Sequence, residues 1–407
     1  MANESKSKFM IIGGLVLLVV IAIFFLTKDK DKSGGSKKDG MMSSTKDPTK
    51  SSDSDFRDGT RKSADGNEDG PITEDGVTPE YLLDEYLEWA QYPPYSRPLS
   101  NYNYDLTEPF FVQESPLVMV DKPEDKEGNG YKCHLQPKEW AAIGLNSEMF
   151  ITLECRDKDN QVIPVKVDEA RVFREFDGQR FSSVKPDYND DGRDGDEVSK
   201  DNIITFKWRG MKVDWGQMML EADIEYGDKK KSTVKASFFS SPGKPAEIGN
   251  VFREVIQDGS LVVYATVQVY TPGKYHIEAN LKESQEGNYI SYAVFDGSLK
   301  AGTQEVELIF FGKILKDKGY DGPYILTDVR GHRVNLPIDP DWFNQGEEGL
   351  KKIQAAKSTE PDKELVTPFR EEYKTKNYNL SQFSNQVYSS QDKENRIREL
   401  QALAKKE

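Results

Sequence analysis

Residues 217–226 read Gln217-Met218-Met219-Leu220-Glu221-Ala222-Asp223-Ile224-Glu225-Tyr226. Met218, Leu220, Ala222, Ile224 and Tyr226 fall on one face of an extended chain, and Gln217, Met219, Glu221, Asp223 and Glu225 on the other. Successive side chains of a strand point to opposite faces, so the alternation predicts a strand with one side in a core and one in water. Val234, Ala236 and Phe238 alternate in the same way. Upstream, Met149–Cys155, Gln161–Val167, Arg171–Phe176 and Ile203–Trp208 are further strand candidates, separated by Gly, Asn and Asp clusters. Short strands with such punctuation predict a first β-sandwich over 110–242.

Ser241-Pro242-Gly243-Lys244-Pro245 marks a boundary. Beyond it, Leu261, Val263, Ala265, Val267 and Val269 alternate, then Tyr275, Ile277, Ala279 and Leu281 after the turn Thr271-Pro272-Gly273. Ile290, Tyr292 and Val294, then Val306, Leu308 and Phe310, and finally Tyr324–Val329 complete a second sandwich over 246–336. The predicted fold class is therefore all-β, with two immunoglobulin-like β-sandwiches.

The flanks differ in kind. After a short flank at 1–8, Phe9 to Leu26 is an apolar run without a charge. Its 18 residues would span about 27 Å as a helix, close to the hydrocarbon thickness of a bilayer. No small-x-small cleavage site follows, which predicts a retained single-span anchor rather than a cleaved signal peptide. Lys6 and Lys8 precede it; Lys28, Lys30, Lys32, Lys37 and Lys38 follow. Counting those charges puts the C-terminal side in the cytoplasm, but long domains translocate largely regardless of charge. The expected placement of the body is periplasmic or extracellular. Residues 27–78 are rich in Ser, Gly, Asp and Lys and predict a disordered linker.

Residues 79–109 begin with a short helix: Thr78 as N-cap, Pro79 at its first position and Leu82, Tyr86 and Trp89 as one stripe. The Pro-rich strap Tyr92-Pro93-Pro94-Tyr95-Ser96-Arg97-Pro98-Leu99 follows. Two readings of the strap stand, a docking peptide for a partner or a segment packed on the chain's own first sandwich. The tail, 337–407, is polar with scattered aromatics and a helix over 391–405, with Ile397, Leu400 and Leu403 on one side. That helix docks on its own chain or binds a partner.

With 55 Lys+Arg against 70 Asp+Glu, the net charge is −15, which argues against nucleic acid as a partner. The 3 His and 2 Cys are too scattered for a closed zinc site. No nucleophile elbow, phosphate loop or metalloprotease helix is present. His134 adjoins Cys133, but neighbours on a strand face opposite ways. The chain therefore reads as non-catalytic. Another envelope protein is the expected partner, and a glycan of the cell wall is the alternative.

The one constellation with chemistry is Asp187-Tyr188-Asn189-Asp190-Asp191-Gly192-Arg193-Asp194-Gly195-Asp196-Glu197, followed by Asp201. Calcium takes 6–8 hard oxygen ligands, and alternate oxygen side chains before a turn glycine suit it. Asp187, Asn189, Asp191, Asp194, Asp196 and Asp201 are the candidate ligands. Val198 stands where an EF-hand needs a bidentate Glu, so the loop is no EF-hand. The competing reading is an acidic hairpin loop whose Asp and Gly serve turns. Cys133 and Cys155 could close a loop of about 22 residues, worth roughly 3 kcal/mol; the alternative is two buried thiols.

The run from Tyr188 to Asp196, continuing to Asp201-Asn202-Ile203-Ile204-Thr205, resembles the "DDGxxGDxxxxDxxYT" signature of immunoglobulin-like domains in the bacterial choice-of-anchor X group, with Ile204 in place of Tyr. Ala301-Gly302-Thr303-Gln304, Phe311-Gly312-Lys313-Ile314 and Asp321-Gly322-Pro323-Tyr324-Ile325-Leu326-Thr327-Asp328-Val329 are similar to second β-domains of related secreted proteins. The resemblance covers residues 82–335. It implies a bacterial envelope protein with surface or periplasmic exposure and carries over no catalytic residue.

Overall fold

The computed structural model describes residues 72–405 apart from 74–75, 113–116, 123–126, 177–178, 337, 339–341, 344 and 357–360. The expected anchor at 9–26 and nearly all of the 27–78 linker lie outside the described residues. Among the described residues no helix is long and apolar enough to cross a membrane. The chain divides into two compact units, Thr78–Pro337 with Lys357–Glu407, and Met1–Val77 with Ile338–Ala356. In the smaller, β1 (Ile72–Thr73) pairs with β2 (Gly76–Val77), and α4 (Gly346–Ala355) carries Glu347 and Glu348 in its first turn and Lys352 in its last, matching the helix dipole.

The larger unit is mostly β. Its first sandwich has one five-stranded sheet in the order β10 (Gln179–Val184), β9 (Val165–Phe176), β13 (Gly216–Tyr226), β14 (Lys230–Ser241), β6 (Ala141–Ile143). The facing sheet runs β11 (Asp187–Asn189), β12 (Ile204–Arg209), β7 (Glu148–Arg156), β5 (Lys132–Pro137), β4 (Leu117–Val118), with β8 (Val162–Ile163) also on β7. The stretch 217–226 forms the centre of the first sheet. Met218 lies opposite Phe238, Leu220 opposite Ala236 and Ala222 opposite Val234. Met218, Leu220, Ala222, Ile224 and Tyr226 are all buried against Ile151, Leu153, Phe206 and Trp208 of the other sheet. Cys133 and Cys155 are directly paired across β5 and β7, fully buried and joined by a disulfide.

The second sandwich packs a three-stranded sheet, β15 (Ala246–Gln257), β16 (Ser260–Val269), β19 (Gly302–Phe310), on a larger one. The larger sheet runs β21 (Lys363–Leu365), β20 (Tyr324–Val334), β17 (Gly273–Glu283), β18 (Tyr289–Leu299), β3 (Ser96–Pro98), and β22 (Tyr373–Lys374) also pairs with β20. Helix α3 (Gly312–Lys318) connects β19 to β20 and places Ile314 and Leu315 in the core.

One expectation about the flanks is corrected. The strap does not pack on the first sandwich. Its Ser96–Pro98 segment is the edge strand of the second, Arg97 opposite Tyr292, and Lys318 donates to the Leu99 carbonyl at 2.7 Å. An edge position suits Pro98, which has no N–H for a further ladder. The tail from Lys363 onward packs on the second sandwich: it supplies β21 and β22, and Phe369 meets Phe252 edge to face at 4.9 Å. Between Thr78 and the strap, α1 (Pro79–Trp89) is capped by the Thr78 hydroxyl, which accepts from Tyr81 N at 3.2 Å. A short α2 (Tyr104–Thr107) follows the strap. The C-terminal helix α5 (Gln391–Ala404) packs along α1, and Tyr388 N donates to the Gln91 carbonyl at 3.0 Å. Leu400 is buried in that contact while Leu403 is exposed. The predicted stripe on this helix is rotated, since 397, 400 and 403 drift about 60° per step of three, or about 120° over the two steps, on a 3.6-residue turn. On α1, Leu82 and Trp89 of the expected stripe are exposed as well.

Candidate metal centre

Strands β11 and β12 form a hairpin at the sheet edge, Asp187 opposite Lys207, Tyr188 opposite Phe206 and Asn189 opposite Thr205. The acidic run is the loop between them. Its path needs left-handed backbone at Gly192 (φ 76°) and Gly195 (φ 88°). A Cβ at Gly195 would also lie 2.2 Å from the Phe150 ring, so only glycine fits.

The loop gathers Asp190, Asp196 and Asp201, each offering one carboxylate oxygen within 4.8 Å of the others. That limit is roughly twice a calcium–oxygen bond of about 2.4 Å, so one ion can touch all three. Backbone amides hold the set in place. Asp190 accepts from Asp201 N at 3.1 Å and Asn202 N at 3.2 Å. Asp196, only 8% exposed, accepts from Gly192 N and from the Thr205 hydroxyl at 3.3 Å. Asp201 accepts from Ile203 N at 3.0 Å. No Lys or Arg among the described residues forms an ion pair with any of the three. Two lysines beside the loop pair with its rim: Lys207 binds Asp194 at 2.8 Å, and Lys138 binds Glu197 at 2.8 Å. The Lys207 ammonium holds the Asp194 carboxyl below the usual carboxylate range.

Of the six expected ligands, only Asp196 and Asp201 join this cluster. Asp187 is an exposed strand residue opposite Lys207. The Asn189 amide, in its hydrogen-bonding orientation, donates to Asp191 at 2.8 Å. Asp191 also caps Arg193 N at 3.1 Å, and Asp194 is taken by Lys207. Asp190 lies outside the alternating series 187, 189, 191 that the calcium pattern selects. In a hairpin loop, spacings of 6 and 5 residues converge instead. The signature quoted above contained the signal, for its aspartates include 190, 196 and 201.

A second polar cluster surrounds His276 and His332, for which no spacing in the sequence points to a partner. On β17, His276 lies between Asp296 (2.7 Å) and Glu278 (3.1 Å). Arg330 binds Glu278 at 2.7 Å, the Tyr292 hydroxyl donates to Glu278, and His332 lies 5.1 Å from His276 ring to ring. Burial opposes a charge on His276, yet the two carboxylates raise it to about 9. Burial, with Lys363 and the His276 cation beside it, lowers His332 to about 3. The group is a charge-balanced layer over the sheet, and its partners came from pairing across three strands, which spacing in one sequence does not display.

No family model matches the chain, and no curated protein does. Solved structures give partial likenesses. A DUF4785 family protein from Legionella pneumophila is similar at 16% identity and TM-score 0.39, over 50% of this chain and 53% of that one. A marsupial T cell receptor matches at 10% identity and TM-score 0.18, over 43% and 59%. The adhesin InvE of Yersinia pseudotuberculosis matches at 12% identity and TM-score 0.16, over 51% and 60%. The chain thus spans between a half and three-fifths of the length of these proteins.

Proposed function

We propose that the chain is a non-catalytic, single-span protein of a bacterial envelope, related to the choice-of-anchor X group, whose body lies outside the bilayer and serves a structural or protein-interaction role. The buried cross-strand disulfide carries this proposal, because structural disulfides persist in oxidising compartments. We further propose that calcium is held by Asp190, Asp196 and Asp201 and pins the β11–β12 loop. Three carboxylates so close repel one another, and the nearby Lys138 and Lys207 pair with Glu197 and Asp194 at the rim rather than with any of the three. The remaining coordination would come from loop carbonyls and water.

Calorimetry of the purified protein with calcium tests the metal. A saturable heat and a raised melting temperature are expected, worth about 2.7 kcal/mol at a hundredfold excess over the dissociation constant. Asp196→Asn should abolish both; no heat in the parent protein would end the calcium assignment. For the role, crosslinking in cells followed by identification of co-purified material should recover another envelope protein. Recovery of glycan alone would replace a protein-binding role with a cell-wall-binding one.

A further inference from the structure

The outward face of the disulfide-bearing sheet holds a polar cavity apart from the aspartate loop. Strands β5 and β7 set Lys132 opposite Arg156 and His134 opposite Glu154. Cys133 and Cys155 occupy the alternate positions and face the core, so these four side chains project outward. With Asn160 they line a cavity of about 210 Å³.

Its polar groups are only partly used. Arg156 gives its Nε to Glu154 and its Nη1 to the Asn160 carbonyl at 2.9 Å. Its Nη2 makes no hydrogen bond among the described residues. Lys132 forms no ion pair among them. The Nε2 atom of His134 is buried and has no hydrogen-bond partner, an arrangement that is costly unless a ligand or water completes it. Asp157, in the adjoining turn, already accepts from Asp159 N and Gln161 N, both at 2.9 Å. The cavity therefore carries two cations against one carboxylate, and that carboxylate is already paired.

We propose that this cavity binds a small oxyanion, a carboxylate or phosphoryl group borne by a ligand from outside the chain. Lys132 and Arg156 supply the charge, and the imidazole of His134 fixes orientation. The volume is below the roughly 300–1,000 Å³ of pockets that enclose a whole small molecule, so it takes one substituent of a larger one. The protein's overall negative charge does not forbid this, since exposed charges beyond about 10 Å are screened at 0.1 M salt.

The chain's 3 His make the test internal. The full-length protein, labelled at histidine, is titrated with sodium phosphate and separately with sodium acetate at constant ionic strength while its imidazole resonances are followed. The His134 signals should move saturably while those of His276 and His332 stay fixed. Response to phosphate assigns a phosphoryl ligand, and response to acetate a carboxylate. Lys132→Ala, an exposed change that leaves the fold intact, should weaken the response by about tenfold, the scale of one charge-assisted hydrogen bond. Absence of a saturable His134 shift with either anion, equal shifts in all three histidines, or an unchanged affinity in Lys132→Ala would overturn the proposal.

Discussion

At the scale of single residues, the sheet surfaces carry charges that behave unlike free ones. Glu221 projects from the outer face of β13 yet is only 5% exposed, because Arg171 (2.7 Å), Arg180 (3.0 Å) and Lys235 (2.9 Å) close over it. Burial opposes its charge, but those three cations hold its carboxyl down to about 2. A depressed carboxyl stabilises the fold above its unfolded value near 4.5 and loses that contribution as pH falls toward 2. His276 runs the other way. Its folded value of about 9 exceeds the ordinary 6.5, so its contribution is complete below pH 6.5 and is lost as pH rises through 9. His332, lowered to about 3, destabilises the fold as pH falls from 6.5 toward 3. Urea midpoints measured across pH should therefore show His276→Gln less stable than the parent at pH 6 and converging with it above pH 9. A constant difference across that range would mean that the imidazole acts by packing alone.

At the scale of elements, legibility followed how undisturbed the period of two was. The stretch 217–226 pairs without interruption along β14, and its alternation was plain. Strand β15 escaped notice because its register shifts between Ile248 and Phe252, which breaks the alternation in mid-strand. The expected strand Gln161–Val167 is two strands, divided at Pro164, which has no N–H to give. The calcium candidate was half legible for a related reason: residue types and the turn glycines were visible, but which oxygens meet depends on the hairpin's path. The pairing of α1 with α5 lay further out of reach, since nothing local links residues 79–89 to 391–404. It yields a sharp expectation. Leu400 is 2% exposed, so Leu400→Ala should cost about 2–3 kcal/mol of helix docking. Hydrogen exchange should then show lost amide protection across α1. Protection left unchanged would mean that α1 stands without its partner. Removing residues 388–407 should lower the melting temperature, whereas a helix reserved for a partner would leave it in place.

At the scale of the whole molecule, the two sandwiches of the larger unit are joined by more than a linker. The Ser241 hydroxyl accepts from Leu365 N at 2.8 Å, and Arg370 binds Glu139 at 2.9 Å while stacking on Phe110 at 4.8 Å. The tail thus fastens one sandwich to the other, and a partner would meet them as one surface. On the proposed envelope reading, the side of the bilayer that would present that surface is a contest between two effects. The lysines after the expected span outnumber those before it, which favours a cytoplasmic body. Against this, a body of several hundred residues translocates largely regardless of nearby charge, and the disulfide needs an oxidising compartment to persist. The second effect should win. Protease added to intact spheroplasts should degrade the body while leaving a cytoplasmic control whole, and thiol blocking before lysis should leave Cys133 and Cys155 unlabelled until reductant is added. A body that resists protease until lysis, together with two thiols labelled without reductant, would place it inside the cell and remove the premise of an envelope role.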